Sequence, residues 1–377
     1  MGTMRSVPSV PIFLAELVRI NSVNPVLVSG APGEAAIARW IASALQHPNI
    51  EVRLFEPEPG RVTVAATVKG TGGGRSLMFN GHIDTVGVEG MAEPFSGEVR
   101  DGKLYGRGAF DMKGSIAASM VALLAIADAP LRGDVVLAAV ADEEYGSLGT
   151  MDLLRHIRTD AAVVTEPTAL DVCLAHKGYL WIEVETTGRA AHGSRFELGV
   201  DANMRMGRFL ARLDLLEQEL RARKPHPLLG PPSLHAAMLN GGTGLSTYAA
   251  SCKLQIERRT VPGESEQSVL NELNALLDSS MSATIRSYFV RDPFEVAPSA
   301  AIVQSALRAC RVVRHCEPKL IGDTPWMDAA LLQAAGIETV VLGPAGAGAH
   351  AAEEWVDVES VAQLAQILEA IARDYCG

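Results

Sequence analysis

The chain is poor in cysteine, with five in 377 residues and no CxxC pair. An odd number without paired spacing argues against a disulfide framework and a structural zinc knuckle, and it predicts a reducing, cytoplasmic setting. There is no excess of base. With 33 Lys and Arg against 44 Asp and Glu, the net charge is -11, so nucleic acid is not an expected partner. Long apolar runs are also lacking. The longest uncharged one, Ser115 to Ala127, is shorter than the roughly 20 residues a bilayer requires. No membrane association is expected, and the opening MGTMRSVPSVPIF, with one arginine and no apolar stretch, does not read as a secretion signal. Internal repeats and low-complexity tracts are absent. The remaining composition, 48% hydrophobic and 20% charged, is that of a globular protein with a sizeable core and more than one domain.

Strand and helix patterns alternate through the first segment. Helices are expected at Pro11–Ile20, Pro32–Leu45, Ser115–Ala127 and Thr150–His156. Strands are expected at Val62–Val68, Ser76–Gly81, Asp134–Ala141 and Ala161–Thr165. This rhythm predicts an α/β fold with a mostly parallel sheet. From Tyr179 the pattern becomes β-α-β-β-α-β, with the cleanly alternating YLWIEVETT as its first strand. That is the split, ferredoxin-like α+β unit. After Arg291 the α/β rhythm returns. The expected organisation is one α/β domain (1–178 and 291–377) interrupted by an inserted α+β domain (179–290).

Five metal-binding side chains fall at strand ends or beside them: His82 in GHIDTV, Asp111 in GRGAFDMKG, Glu144 in ADEEYG, Glu166 in VVTEPT and His350 in GPAGAGAH. Open α/β sheets place their sites outside the carboxyl ends of strands. Each residue alone has an ordinary alternative as a turn, a cap or a surface histidine. Together, two histidines and three carboxylates suit zinc, cobalt or manganese rather than calcium. One bridging carboxylate would leave a histidine and a carboxylate for each of two ions. Two such ions would also offset about four of the negative charges. Glu143, beside Glu144, is a spare carboxylate for proton transfer, pointing the other way if the segment is extended. Asp84, in HxD, is placed to hold the second ring nitrogen of His82. The glycine-rich turn before Met112 lacks Walker spacing and is not read as a phosphate loop.

In order along the chain, GHIDTV, GRGAFDMKG, ADEEYGSLGT, VVTEPT, AAHGS and GAHAAEEWV resemble the M20 metallopeptidase family, which includes deacetylases, desuccinylases, aminoacylases and carboxypeptidases. The resemblance implies a hydrolase of amide bonds using two divalent metal ions, zinc first and cobalt or manganese as alternatives. It implies that Asp111 bridges, that His82 and Glu166 hold one ion and that Glu144 and His350 hold the other. By the same resemblance Asp84 orients His82 and Glu143 is the general base. His192 reaches the partner subunit's site, and Arg259 with Asn240 binds the substrate's α-carboxylate. The expected substrate is an N-acyl amino acid, with a short peptide as the alternative and a non-catalytic homologue as a third reading. The inserted domain is expected to act as a lid and to form a homodimer through its edge strand. The chain departs from the family pattern at TPWMDAALL, where Trp326 and Met327 suggest a more apolar pocket, and at FELG after His192, around Arg195 and Phe196.

Overall fold

The structure is a computed structural model and describes residues 9–377. The first residues, where no secretion signal is expected, lie outside that range. By chain contacts there are two compact units, one of Ala175–Glu295 with Gly322–Trp326 and one of the remainder.

The larger unit is built on a mixed sheet. Its strands run in the order Ile50–Glu58, Arg61–Val68, Val135–Val140, Leu77–His82, Ala161–Val164, Glu338–Val341 and Val172–His176. The four from Val135–Val140 to Glu338–Val341 are mutually parallel, and the outer ones pair antiparallel. Parallel strands covered on both faces are apolar throughout. Accordingly Val135–Val140, Leu77–His82 and Ala161–Val164 are buried along their whole length. The helices Gly114–Asp128, Ala301–Arg314 and Val358–Cys376 pack on the sheet, the last of them also against the other two. Of these seven strands, two escaped the sequence reading. Ile50–Glu58 is a largely exposed edge with charged residues at alternate positions, and Val172–His176 follows too closely on the Glu166 turn to stand out.

The run Ala109–Asp128 corrects the length argument against a membrane span: it is 20 residues long and apolar enough by composition to cross one. It is buried on nearly every side within the fold, which is the signature of a core helix.

The smaller unit has the antiparallel order Ser233–Gly241, Ser251–Thr260, Gly178–Thr187, Ala283–Arg291. In Gly178–Thr187 burial alternates along the strand, as period-two side-chain placement requires. Leu180, Ile182 and Val184 form one core with Leu254 and Ile256 of the neighbouring strand and with Phe209, Leu213 and Leu273 of the two helices. Those helices start where side chains satisfy the free N–H groups. Asp201 caps Ala202–Ala222, and Ser265 closes a capping box on Glu266–Ala275.

Candidate metal and active site

Four segments of the larger unit bring the candidate ligands together. His82 is the last residue of Leu77–His82, Asp111 lies in a turn before Gly114–Asp128, Glu144 follows Val135–Val140, and Glu166 follows Ala161–Val164. His350 comes from a fifth segment. It tips a hairpin between Gly346–Ala347 and Trp355–Asp357, and the latter strand pairs with Lys103–Tyr105.

Asp111 is shared. Its Oδ1 lies 3.0 Å from His82 Nε2 and its Oδ2 lies 3.4 Å from His350 Nε2. Glu166 Oε1 is 3.6 Å from His82 Nε2, and Glu144 Oε2 is 3.1 Å from His350 Nε2. Two triads result, His82–Asp111–Glu166 and Asp111–Glu144–His350, each with its donor atoms within 4.8 Å of one another. Glu143 belongs to neither.

The pair Glu143–Glu144 lies in a turn rather than on an extended segment. Asp142 starts it in the left-handed conformation, φ 69°, which aspartate tolerates better than most residues. Glu143 N donates to Asp84 Oδ1 at 3.1 Å, and Glu144 N donates to Asp84 Oδ2 at 3.2 Å. Asp84 therefore has a wider role than orienting a ring. The closest acceptor for His82 Nδ1 is the Asp84 backbone carbonyl at 3.0 Å, with the carboxylate at 3.5 Å.

The electrostatics of the cluster are those of a cation site. Burial raises the Glu143 carboxyl well above its usual range and outweighs the pull of His82, while Glu166, Asp328 and Glu144 push it further. Burial likewise raises Glu166 and Glu144, with Asp111 adding repulsion. Hydrogen bonds that His350 donates to Asp111 and Glu144 raise it to about 10. For His82 burial acts downward, yet hydrogen bonds to Asp111 and Asp84 lift it well above its usual value. Buried Glu144 Oε1 has no hydrogen-bond partner, and an unpartnered carboxylate oxygen at this depth is costly. Imidazole nitrogens, carboxylates and this orphan oxygen fit divalent metal ions.

Sequence reasoning missed the residues that hold the ligand turns. Glu354 Oε1 accepts from Phe110 N at 2.9 Å and Asp111 N at 3.0 Å, and its Oε2 accepts from Gly108 N at 3.0 Å and Arg107 Nη1 at 2.7 Å. Arg107 also donates to the carbonyls of Gly87 and Ala351. Gly108 has φ 79°, and a Cβ there would meet Thr85 Cγ2 at 2.7 Å, so glycine is required. On the other side, Asn24 Nδ2 donates to Asp84 at 2.8 Å and Asp142 at 2.9 Å. Buried Arg61 pairs with Glu34 and Asp142, each at 2.7 Å. Only EE in AAEEWV and the R in GRG could have signalled any of this, and neither announces its partner.

The other three candidates lie in the smaller unit. His192 is exposed, with Nδ1 2.8 Å from Ser194 Oγ. Arg259 pairs with Glu257 and lies 4.8 Å over the Tyr179 ring, whereas its neighbour Arg258 is buried against Glu264. Asn240 is exposed on the edge strand. The structure does not join Arg259 and Asn240 within one chain. Arg259 faces Ser233 across the ladder and Asn240 faces Lys253, ~20 Å further along at about 3.4 Å per residue. One carboxylate cannot engage both from the same chain.

Residues 78–374 match the model of peptidase family M20/M25/M40. The chain is 29% identical over 347 residues to acetylornithine deacetylase of Proteus mirabilis, covering 87% of this chain and 86% of that one. The enzyme of the same name from Myxococcus xanthus is 29% identical over 333 residues, 84% and 85% of the two chains. Among solved structures, aminopeptidase PepT of Bacillus cereus superposes with a TM-score of 0.78 at 18% identity, over 98% of this chain and 99% of that one. A dinuclear metal binding peptidase of the M20 family from Bacillus subtilis gives 0.73 at 16% identity, over 97% and 96%. These structures share the mixed α/β fold. The shared Asp111, the two triads around it and the family match over most of the chain agree, and the chain belongs to the M20/M25/M40 peptidase family.

Proposed function

We propose that this metal-dependent amidohydrolase removes the acyl group from an N-acyl amino acid. The observation that carries the reading is the division of labour around Asp111: two histidine–carboxylate triads share it, and Glu143 is left outside both. His82 and Glu166 would hold one ion, Glu144 and His350 the other, and Asp111 would bridge. Zinc suits this donor set best. Bound there, two divalent ions supply Lewis acidity that makes water nucleophilic at neutral pH and polarises a carbonyl.

Glu143 then takes the proton of the attacking water and delivers it to the leaving nitrogen, as base and then acid. Its raised carboxyl brings the proton affinity closer to that task. Arg259 offers a forked, permanently charged donor for the substrate's carboxylate. His192 supplies a donor for the developing oxyanion, from a second subunit. The dimer is supported by apolar side chains exposed in the smaller unit: Met238 and Leu239 on the edge strand, and Phe196, Leu198 and Leu245. An unpaired edge carrying such residues invites pairing with a second copy.

Removal of an acyl group is preferred to peptide cleavage because the relatives named as deacetylases match most of both chains at up to 29% identity. The deciding experiment assays N-acetyl, N-succinyl and dipeptide substrates with zinc, cobalt and manganese in turn. Turnover confined to dipeptides would replace the reading, and no turnover with any metal would remove it. Light scattering at assay concentration tests the dimer, which a monomeric mass would exclude.

A further inference from the structure

Aromatic residues make up 5% of the chain, yet Tyr179, Trp181 and Phe289 gather on one face of the smaller unit. The strand register shows how. Tyr179 lies between Arg259 and Arg291 across three neighbouring strands, and Trp181 lies between Glu257 and Phe289. These six positions share the face opposite the helices, since the intervening Leu180, Ile182, Arg258 and Ile256 point into the core. The Trp181 and Phe289 rings stack at 4.9 Å, and Tyr179 lies 5.7 Å from Trp181 and 5.9 Å from Phe289. Arg291 lies 4.4 Å over Phe289 and 4.9 Å over Trp326, whose Nε1 donates to the Asp292 carbonyl at 3.0 Å. Trp326 lies in TPWMDAALL, one of the two segments at which the sequence departs from the family pattern. Met327, read beside it as a pocket residue, is instead buried in the larger unit.

Further along the same face the rows turn polar, with Glu183 held by Arg286 at 2.8 Å and by Lys253 at 3.6 Å. The aromatic end is therefore a bounded patch. Its rings remain partly open to solvent, and Tyr288 beside them is 46% exposed. The carboxylate nearest to it, Glu257, is already engaged by Arg259 and by Trp181 Nε1.

We propose that this patch is the side-chain subsite of the enzyme and selects N-acyl amino acids with an aromatic or large apolar side chain over those with a cationic one. The inference rests on the proposed role of Arg259 as carboxylate anchor. A carboxylate held by Arg259 brings the rest of the amino acid against Tyr179, Trp181 and Phe289, because the guanidinium is itself stacked on Tyr179. Flat rings in offset contact favour another ring. A cationic side chain would meet two guanidinium groups and a carboxylate already neutralised, so like charge works against it.

The test is a kcat/KM panel on the zinc-loaded enzyme with N-acetyl-L-phenylalanine, N-acetyl-L-alanine and N-acetyl-L-ornithine. The phenylalanine substrate is expected to exceed the alanine one by about ten- to hundredfold, the range for burying one aromatic side chain, and ornithine is expected to be poorest. Trp181→Ala and Phe289→Ala should each lower the phenylalanine-to-alanine ratio of kcat/KM by about tenfold. Trp181→Leu and Phe289→Leu repeat the comparison should the alanine variants fail to fold. Equal rates for the three substrates, or a preference for ornithine, would overturn the subsite. So would variants with unchanged melting temperature that lose all substrates in proportion. Calorimetric binding of N-acetyl-L-phenylalanine to the metal-free protein separates the two readings. Binding that Trp181→Ala weakens, with no turnover of any substrate, supports the subsite and removes the hydrolase reading. Turnover with no Trp181-dependent discrimination does the reverse.

Discussion

The Glu354 carboxylate accepts from Arg107 Nη1 at 2.7 Å, and both side chains are closed to solvent. The same carboxylate caps the backbone of the turn that carries Asp111, while Arg107 holds the hairpin that carries His350 through the Ala351 carbonyl. The pair thus clamps two ligand-bearing segments to each other. Removing one partner leaves the other charge buried, at a cost of about 3–5 kcal/mol. Glu354→Ala is expected to lose stability on that scale in urea titration and to retain less metal by elemental analysis. Wild-type stability with full metal content would refute the clamp.

Glu143→Gln is expected to keep both metals and lose about 10²–10⁴-fold in kcat, the usual contribution of a positioned acid–base group. Elemental analysis and steady-state kinetics on the same preparation decide the matter. A variant that loses metal instead would make Glu143 a ligand.

Asn24 joins Asp84 to Asp142 by two hydrogen bonds, and Asp84 holds the Glu143–Glu144 turn. Partners one step removed from a metal ligand typically change affinity or activity by about 10–100-fold. Asn24→Ala should lower kcat or metal affinity in that range, with KM for the substrate little changed. A rise in KM alone would place Asn24 elsewhere in the mechanism.

Proton linkage gives a signed prediction for the metal-free protein. Glu143, Glu144, Glu166, His82 and His350 all have raised values in the fold. A raised group contributes stability that is complete below its unfolded value and is lost as pH climbs through the folded one. For His350 that window runs from about 6.5 to about 10. Asp111, lowered by its two histidines despite burial, acts only in the acid range. The melting temperature of the metal-free protein should therefore fall as pH rises from neutral. Metal uptake should release protons and tighten over the same range. Calorimetry in two buffers of different ionisation enthalpy measures the release, and uptake without it would contradict the assignment of the protonated groups as ligands.

Neighbouring arginines should give opposite results. Arg258 is buried against Glu264, with Glu272 3.5 Å away, so Arg258→Ala should destabilise by about 3–5 kcal/mol. Arg259 is about a third exposed on the opposite face, so Arg259→Ala should change stability by about 0.5 kcal/mol or less while raising KM for carboxylate substrates. Thermal melts and kinetics on the two variants test the contrast.

What the sequence determined by itself was everything set by local order. Mostly apolar runs marked the parallel strands, strict alternation marked YLWIEVETT, and two histidines and three carboxylates at or beside strand ends marked the cluster. Those signals are short-range, because strand period and the carboxyl-end rule act over a few residues. Tertiary structure alone decided what depends on distant partners. Glu354 lies 247 residues from Arg107, and Asn24 lies 60 from Asp84, and neither spacing carries a periodic signature. Likewise, only the ladder register separated Arg259 from Asn240 and brought Tyr179, Trp181 and Phe289 onto one face. Strand pairing across the sheet, rather than order along the chain, determines which side chains meet.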